Sequence, residues 1–101
     1  MARDPWAYRE VAVESVLDAR SGRLRIKPVA GQAYSTAMRV QCARVLCDPE
    51  QYPAGTRFLI RAKLTDCGGA PFLYAWHGDP VKVLGKREAA SFLDEYRRRR
   101  I

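Results

Sequence analysis

Over residues 56–65, Phe58, Ile60, Ala62 and Leu64 alternate with Arg57, Leu59, Arg61 and Lys63. A period of two commits this segment to a long, half-buried strand, because successive side chains of an extended chain leave on opposite faces. The phase places Phe58, Ile60, Ala62 and Leu64 inward. Shorter runs of the same kind recur along the chain, separated by Gly, Pro and Asp clusters, which is the punctuation of hairpins. Residues 8–17 are Val-rich and carry Arg9, Val11, Val13, Ser15 and Leu17 on one side. After the turn Asp18-Ala19-Arg20-Ser21-Gly22, where glycine is free to take positive φ, residues 22–29 place Leu24 and Ile26 on one face and Arg23, Arg25 and Lys27 on the other.

Residues 31–36 read as a loop. Residues 37–46 resume the alternation with Met38, Val40 and Cys42 opposite Arg39 and Gln41. Beyond Cys42 strict alternation would turn Arg44 inward, so a bulge or a strand end is expected near Ala43. The connection 48–55 contains Pro49 and Pro53, which exclude a central strand there. Two further strands are expected at 71–76 and 81–84, with turns at 66–70 and 77–80. From Lys86 the period changes: Ala89, Phe92, Leu93 and Tyr96 recur three and four apart, the apolar stripe of a helix over 86–98. Glu88 in the first turn and arginines in the last suit the helix dipole, and Asp94–Arg98 and Glu95–Arg99 are i,i+4 pairs. No Ser, Thr, Asp or Asn immediately precedes Lys86 as a cap.

These elements predict a mainly β single domain over residues 1–101: a five- to six-stranded antiparallel barrel or curled sheet, SH3-like or OB-like, with one C-terminal helix. A length of 101 residues suffices for one hydrophobic core and not for a catalytic domain beside a separate binding domain. No stretch approaches the roughly 18 apolar residues of a membrane span. The first residues lack the basic segment and apolar run of a secretory signal, so a cytoplasmic location is the default expectation. No membrane partner is expected.

The formal net charge is +7, from 18 basic and 11 acidic residues, and it is unevenly spread. Residues 22–47 contain Arg23, Arg25, Lys27, Arg39 and Arg44 and no acid. If the second and third strands pair, Arg23, Arg25, Lys27 and Arg39 share an exposed face beside Gln41, extended by Arg57, Arg61 and Lys63. Such a face can follow phosphates; it also serves any soluble sheet as its charged exterior. The Arg97-Arg98-Arg99-Arg100 run is a second basic zone, a phosphate contact or a solubilising, dipole-complementing helix end.

Charge alone does not read bases, so the aromatic residues matter. Phe72, Tyr74 and Trp76 share one side of a strand. Exposed, they would form a stacking platform for bases; at period-two spacing beside turn glycines they read instead as a buried core stripe. Tyr34 and Tyr52 lie in loops and are the surface stacking candidates, with packing roles as the alternative.

Three cysteines form no disulfide framework, being odd in number. Cys42, Cys47, Cys67 and His77 are spaced by five, twenty and ten positions, which matches no zinc knuckle. Cys67 with His77 and Asp79 would make a nucleophile, base and orienting acid, but a turn Cys and a lone His need no chemistry to explain them. The remaining acids fall in turns, where they satisfy backbone donors, and no phosphate-binding glycine loop or dinucleotide fingerprint is present. Neither an enzyme nor a cofactor or metal is therefore expected. The expected function is a basic module contacting DNA or RNA through Arg23, Arg25, Lys27, Arg39, Arg61, Lys63, Arg97 and Arg98, mainly at phosphates and with little sequence preference. The alternative is a small interaction subunit or inhibitor that binds an acidic protein surface, and exposed strand edges would also allow a homodimer.

Overall fold

A computed structural model of the chain describes residues 8–65, 69–76 and 78–99, with the side chain of Arg99 outside the description. Six strands and one helix follow in order: β1 (Arg9–Leu17), β2 (Leu24–Pro28), β3 (Val40–Gln41), β4 (Arg57–Thr65), β5 (Phe72–Tyr74), β6 (Lys82–Leu84) and α1 (Lys86–Arg99). They form a nearly closed, barrel-like sheet with the helix at the C-terminal end. The hydrogen-bonded order is β2-β1-β4-β5-β3, and β6 adds to β4.

β1 is the central staple. It pairs antiparallel with β2 from Val13↔Pro28 to Leu17↔Leu24, and with β4 from Arg9↔Ala62 to Glu14↔Arg57. Its inward side chains Val11, Val13 and Ser15 are fully buried, and Phe58, Ile60 and Ala62 meet them from β4. With Ile26, Leu46, Leu73 and Ala75 these apolar residues make the barrel core. Ala12, on the opposite face of β1, is also fully buried, because α1 covers it with Ala89, Phe92 and Leu93 beside Val29, Leu59 and Leu84. The periodicity at 86–98 thus reports a helix whose stripe closes a second, smaller core outside the barrel.

The connectivity departs from an all-antiparallel sheet at one place. β3 runs parallel to β5, with Val40 opposite Leu73 and Gln41 opposite Tyr74. β1 between β2 and β4, and a parallel β3–β5 pair, give the ring order of the OB-like alternative, a five-stranded and partly open barrel. The expected strand over 37–46 shrinks to two residues. The phase break near Ala43 is where it ends: Arg44–Cys47 form a 3-10 turn that drives Leu46 into the barrel core. Leu64, expected inward, is 52% exposed, because it lies two residues beyond Ala62, the last β4 residue paired with β1.

Two local devices complete the frame. β2 ends at Pro28, and at the next pair the ladder beside β1 is completed by a side chain: the Val29 N–H still donates to the Ala12 carbonyl at 3.0 Å, and Gln32 bridges the remaining groups of that pair. Gln32 Nε2 donates to the carbonyls of Ala12 (2.8 Å) and Val29 (2.9 Å), while its Oε1 accepts from the Ala12 N–H at 2.8 Å. The helix start, which lacks a conventional cap, uses the reverse half of a capping box. Glu88 accepts from the Gly85 N–H at 3.3 Å and pairs with Lys82 Nζ at 3.1 Å. At the other end Asp94 pairs with Arg97 at 2.7 Å, an i,i+3 contact in place of the expected reach to Arg98. Among the described residues no helix is long and apolar enough to cross a membrane.

Gln32→Ala leaves the buried Ala12 N–H without its acceptor. Unfolding by urea should show a loss of about 1–3 kcal/mol; an unchanged midpoint would mean that the loop re-pairs. Hydrogen bonds from Lys82 and Gly85 hold the Glu88 carboxyl below its ordinary pKa. Its stabilising contribution is therefore complete above the usual carboxylate range and is lost as pH falls through the lowered value. Thermal melts should show Glu88→Gln losing less stability than the parent on going from neutral to acidic pH.

Candidate functional site

Ring closure is incomplete between β2 and β3, and the gap is a groove of about 610 Å³ lined by Arg23, Leu24, Arg25, Ile26, Arg39, Val40, Gln41, Cys42, Arg44 and Cys47. Four of these are arginines and none is acidic. The alternation of the flanking strands explains the layout: Ile26 is buried and Leu24 half-buried, while Arg23 and Arg25 emerge at the surface. On the other bank Val40 and Cys42 pack against the core while Arg39 and Gln41 are exposed. Arg23 and Arg25 on the β2 bank and Arg39 and Arg44 on the other thus line an open seam and not a hydrogen-bonded pair of strands.

Not every predicted basic residue belongs to this set. Lys27 and Arg57 are the cross-strand neighbours of Glu14 on either side of β1, and Arg57 Nε lies 3.7 Å from the Glu14 carboxylate. Arg61 is exposed and stands opposite Glu10. These three have acidic register partners; of the groove arginines, Arg25 stands opposite Val16, while Arg23 stands beside Asp18, whose N–H donates to the Arg23 carbonyl at 2.8 Å. Arg97 and Arg98 are exposed on α1, and Arg97 is engaged by Asp94. Arg100 lies outside the described residues.

The aromatic strand is inverted relative to the sequence reading. Leu73 and Ala75 are the buried residues; Phe72 and Tyr74 are half-buried on the outward side and Trp76 is 37% exposed. The cause is register, since β5 is locked to β4 through Lys63↔Tyr74, Leu64↔Leu73 and Thr65↔Phe72. The outward phase of Lys63 carries Tyr74 with it. Two cross-strand rows result: Gln41–Tyr74–Lys63 runs from β3 through β5 to β4, and beside it the guanidinium of Arg39 covers the Phe72 ring, with Cζ 4.7 Å from the ring centroid. Next to that pair a second cleft, of about 630 Å³, is lined by Ser35, Ala37, Met38, Arg39, Gly69, Ala70, Pro71 and Phe72. Arg39 thus borders both cavities. The Trp76 indole lies against the backbone of Gly78, where an added Cβ would collide with the ring.

Tyr34 and Tyr52 are half-buried and pack on the barrel core, and Tyr52 meets Phe58 edge-on with centroids 5.0 Å apart. That is the packing role weighed for them beside stacking.

Cys42 and Cys47 are free thiols at the floor of the groove. Burial, with a smaller contribution from neighbouring Cys47, pushes the Cys42 thiol up to about 12, and burial raises that of Cys47. Among the described residues no three His, Cys, Asp or Glu side chains come together to hold a metal. Cys67 and His77, needed both for the zinc set and for the nucleophile–base reading, lie outside the described residues.

No protein-family model matches this chain, and neither the curated proteins nor the solved structures contain a match to it.

Thiolate is the species that reacts with alkylating agents. Iodoacetamide at neutral pH should therefore label Cys42 far more slowly, and Cys47 moderately more slowly, in the native protein than in the urea-unfolded chain. Trypsin separates the two thiols at Arg44, so mass spectrometry reads each rate individually. Equal native and unfolded rates would contradict the buried placement.

Proposed function

We propose that this protein is a non-enzymatic module that binds DNA or RNA, mainly through phosphate contacts in the β2–β3 groove. The observation that carries the reading is the lining of that groove: Arg23, Arg25, Arg39 and Arg44 around an apolar floor, with no acidic side chain among them. Guanidinium groups are matched to phosphate oxygens by charge and by their forked donors. A concave cationic channel also concentrates a polyanion before contact. The electrostatics elsewhere support the same choice, because Lys27, Arg57 and Arg61 all stand opposite acids, whereas among the groove arginines only Arg23 does, beside Asp18 at the hairpin turn. Barrels of this ring order often carry oligonucleotides or oligosaccharides on the surface of their second and third strands, but a fold does not assign a function by itself.

Phosphate contact makes affinity fall with salt, by roughly 0.7 to 0.9 log units per log unit of salt for each neutralised phosphate. The double variant Arg23→Ala/Arg25→Ala should weaken oligonucleotide binding about tenfold or more at low salt and flatten that dependence by about one to two units. The charge-matched variant Lys86→Ala/Arg87→Ala, on the exposed start of α1, should change both much less. Fluorescence anisotropy across a salt series measures the two quantities. Absence of salt-sensitive association with either DNA or RNA would overturn the reading, as would a preference for an acidic polypeptide over both.

A further inference from the structure

We propose that the occupant is a single strand, and that its bases stack on the outward Arg39–Phe72 pair, Tyr74 and Trp76 while its phosphates follow the groove arginines. This rests on the phosphate-binding reading above and specifies the substrate class.

The first support is the composition of the β3–β5–β4 face. It interleaves π surfaces with donors: Arg39 against Phe72, and Tyr74 between Gln41 and Lys63. A face meant only for phosphates has no use for Phe72 and Tyr74 at the outward positions of β5, or for the partly exposed Trp76 beyond them. The core does not need them either, since Leu73 at 0% and, just past the strand, Ala75 at 8% exposure fill the inward positions of this segment.

The second support is spacing. Residues two apart on a strand lie about 6.6–6.8 Å apart, roughly twice the 3.4 Å rise per nucleotide in a duplex strand. Bases held on successive outward positions of β5 are therefore drawn apart from one another, which a single strand allows and a duplex does not. In a duplex, moreover, the faces of the bases are already occupied by their neighbours. The third support is continuity. Arg39 borders the basic groove on one side and the cleft beside Pro71 and Phe72 on the other. Its guanidinium plane, lying over the Phe72 ring, offers a stacking surface next to the phosphate path. Recognition by stacking on aromatic rings and on arginine planes is tolerant of base identity, which agrees with a groove lined, among the described residues, by strands and a 3-10 turn.

The test compares four fluorescein-labelled probes of roughly a dozen nucleotides, a length within the range that one small barrel covers. They are a thymidine strand, a uridine strand, an abasic deoxyribose-phosphate strand and a blunt duplex. The better of the two base-bearing strands should bind on the order of 10- to 100-fold more tightly than the abasic strand, and more tightly than the duplex. Arg39→Lys keeps the charge and removes the plane, and Trp76→Ala alters an exposed ring. Arg39→Lys should erode the preference over the abasic strand and, because Arg39 also lines the groove, weaken abasic binding somewhat, whereas Trp76→Ala should erode the preference while leaving abasic binding and its salt dependence nearly unchanged. Phe72→Ala should do so most strongly, with circular dichroism confirming that it is folded. Equal affinity for the abasic and base-bearing strands would overturn the stacking proposal and leave the phosphate-groove reading standing, as would tighter binding of the duplex. Failure of all four probes to bind would overturn both.

Discussion

Burial of β1 on both faces is the constraint from which the other placements follow. Val11 and Val13 point into the barrel and Ala12 points beneath α1, so the strand cannot slip by one residue without exchanging a bulky interior for a position that accepts only a methyl group. Each fully buried valine contributes about 1.5–3 kcal/mol relative to exposure, which makes a slipped register costly several times over. With β1 fixed, Val11↔Ile60 and Val13↔Phe58 fix β4, and Lys63↔Tyr74 then fixes β5. β3 follows through Gln41↔Tyr74. The outward placement of Phe72 and Tyr74 is therefore a remote consequence of two valines and an alanine at the start of the chain.

That chain of dependence also separates what could be read in the residues from what could not. β2 and β4 were legible because one parity is apolar and the other mostly charged, β1 because it is rich in Val, and α1 because its stripe has a different period. The segment Pro71 to Trp76 is apolar or aromatic at every position, so alternation carries no information there. Only its register with β4 decides which set is inside. β3 was overestimated for a related reason: Met38, Val40 and Cys42 do pack on the core in alternation, but only Val40 and Gln41 find a hydrogen-bonding partner strand. The parallel pairing was not legible at all, since strand direction leaves no trace in local pattern.

Of the candidate site, the acid-free stretch at 22–47 supplies residues to both banks of one groove, because β2 and β3 flank the open seam of the barrel. The sequence offered no means of distinguishing Arg25 from Lys27, two residues apart on one strand. Their difference lies in what stands across from them: Val16 opposite Arg25 and Glu14 opposite Lys27. Gln32 and Glu88 were missed as organising residues for a similar reason. A glutamine in a loop and a glutamate in a first helical turn acquire those roles only from the backbone groups brought near them, although Glu88 three residues after Gly85 is the spacing of a reverse cap.

The brevity of β3 has a kinetic meaning. Leu17 meets Leu24 across a short turn, whereas Val40 meets Leu73 across about a third of the chain and is held by only two residue pairs. Loop-closure entropy favours the first contact early and the second late. The bank of the groove that bears Arg39 is thus the last part of the barrel to assemble and the first to open under mild stress. A strand threaded through the seam would bridge β2 to β3 where the backbone does not. Its grip would appear as slowed amide exchange in the weakest segment of the sheet.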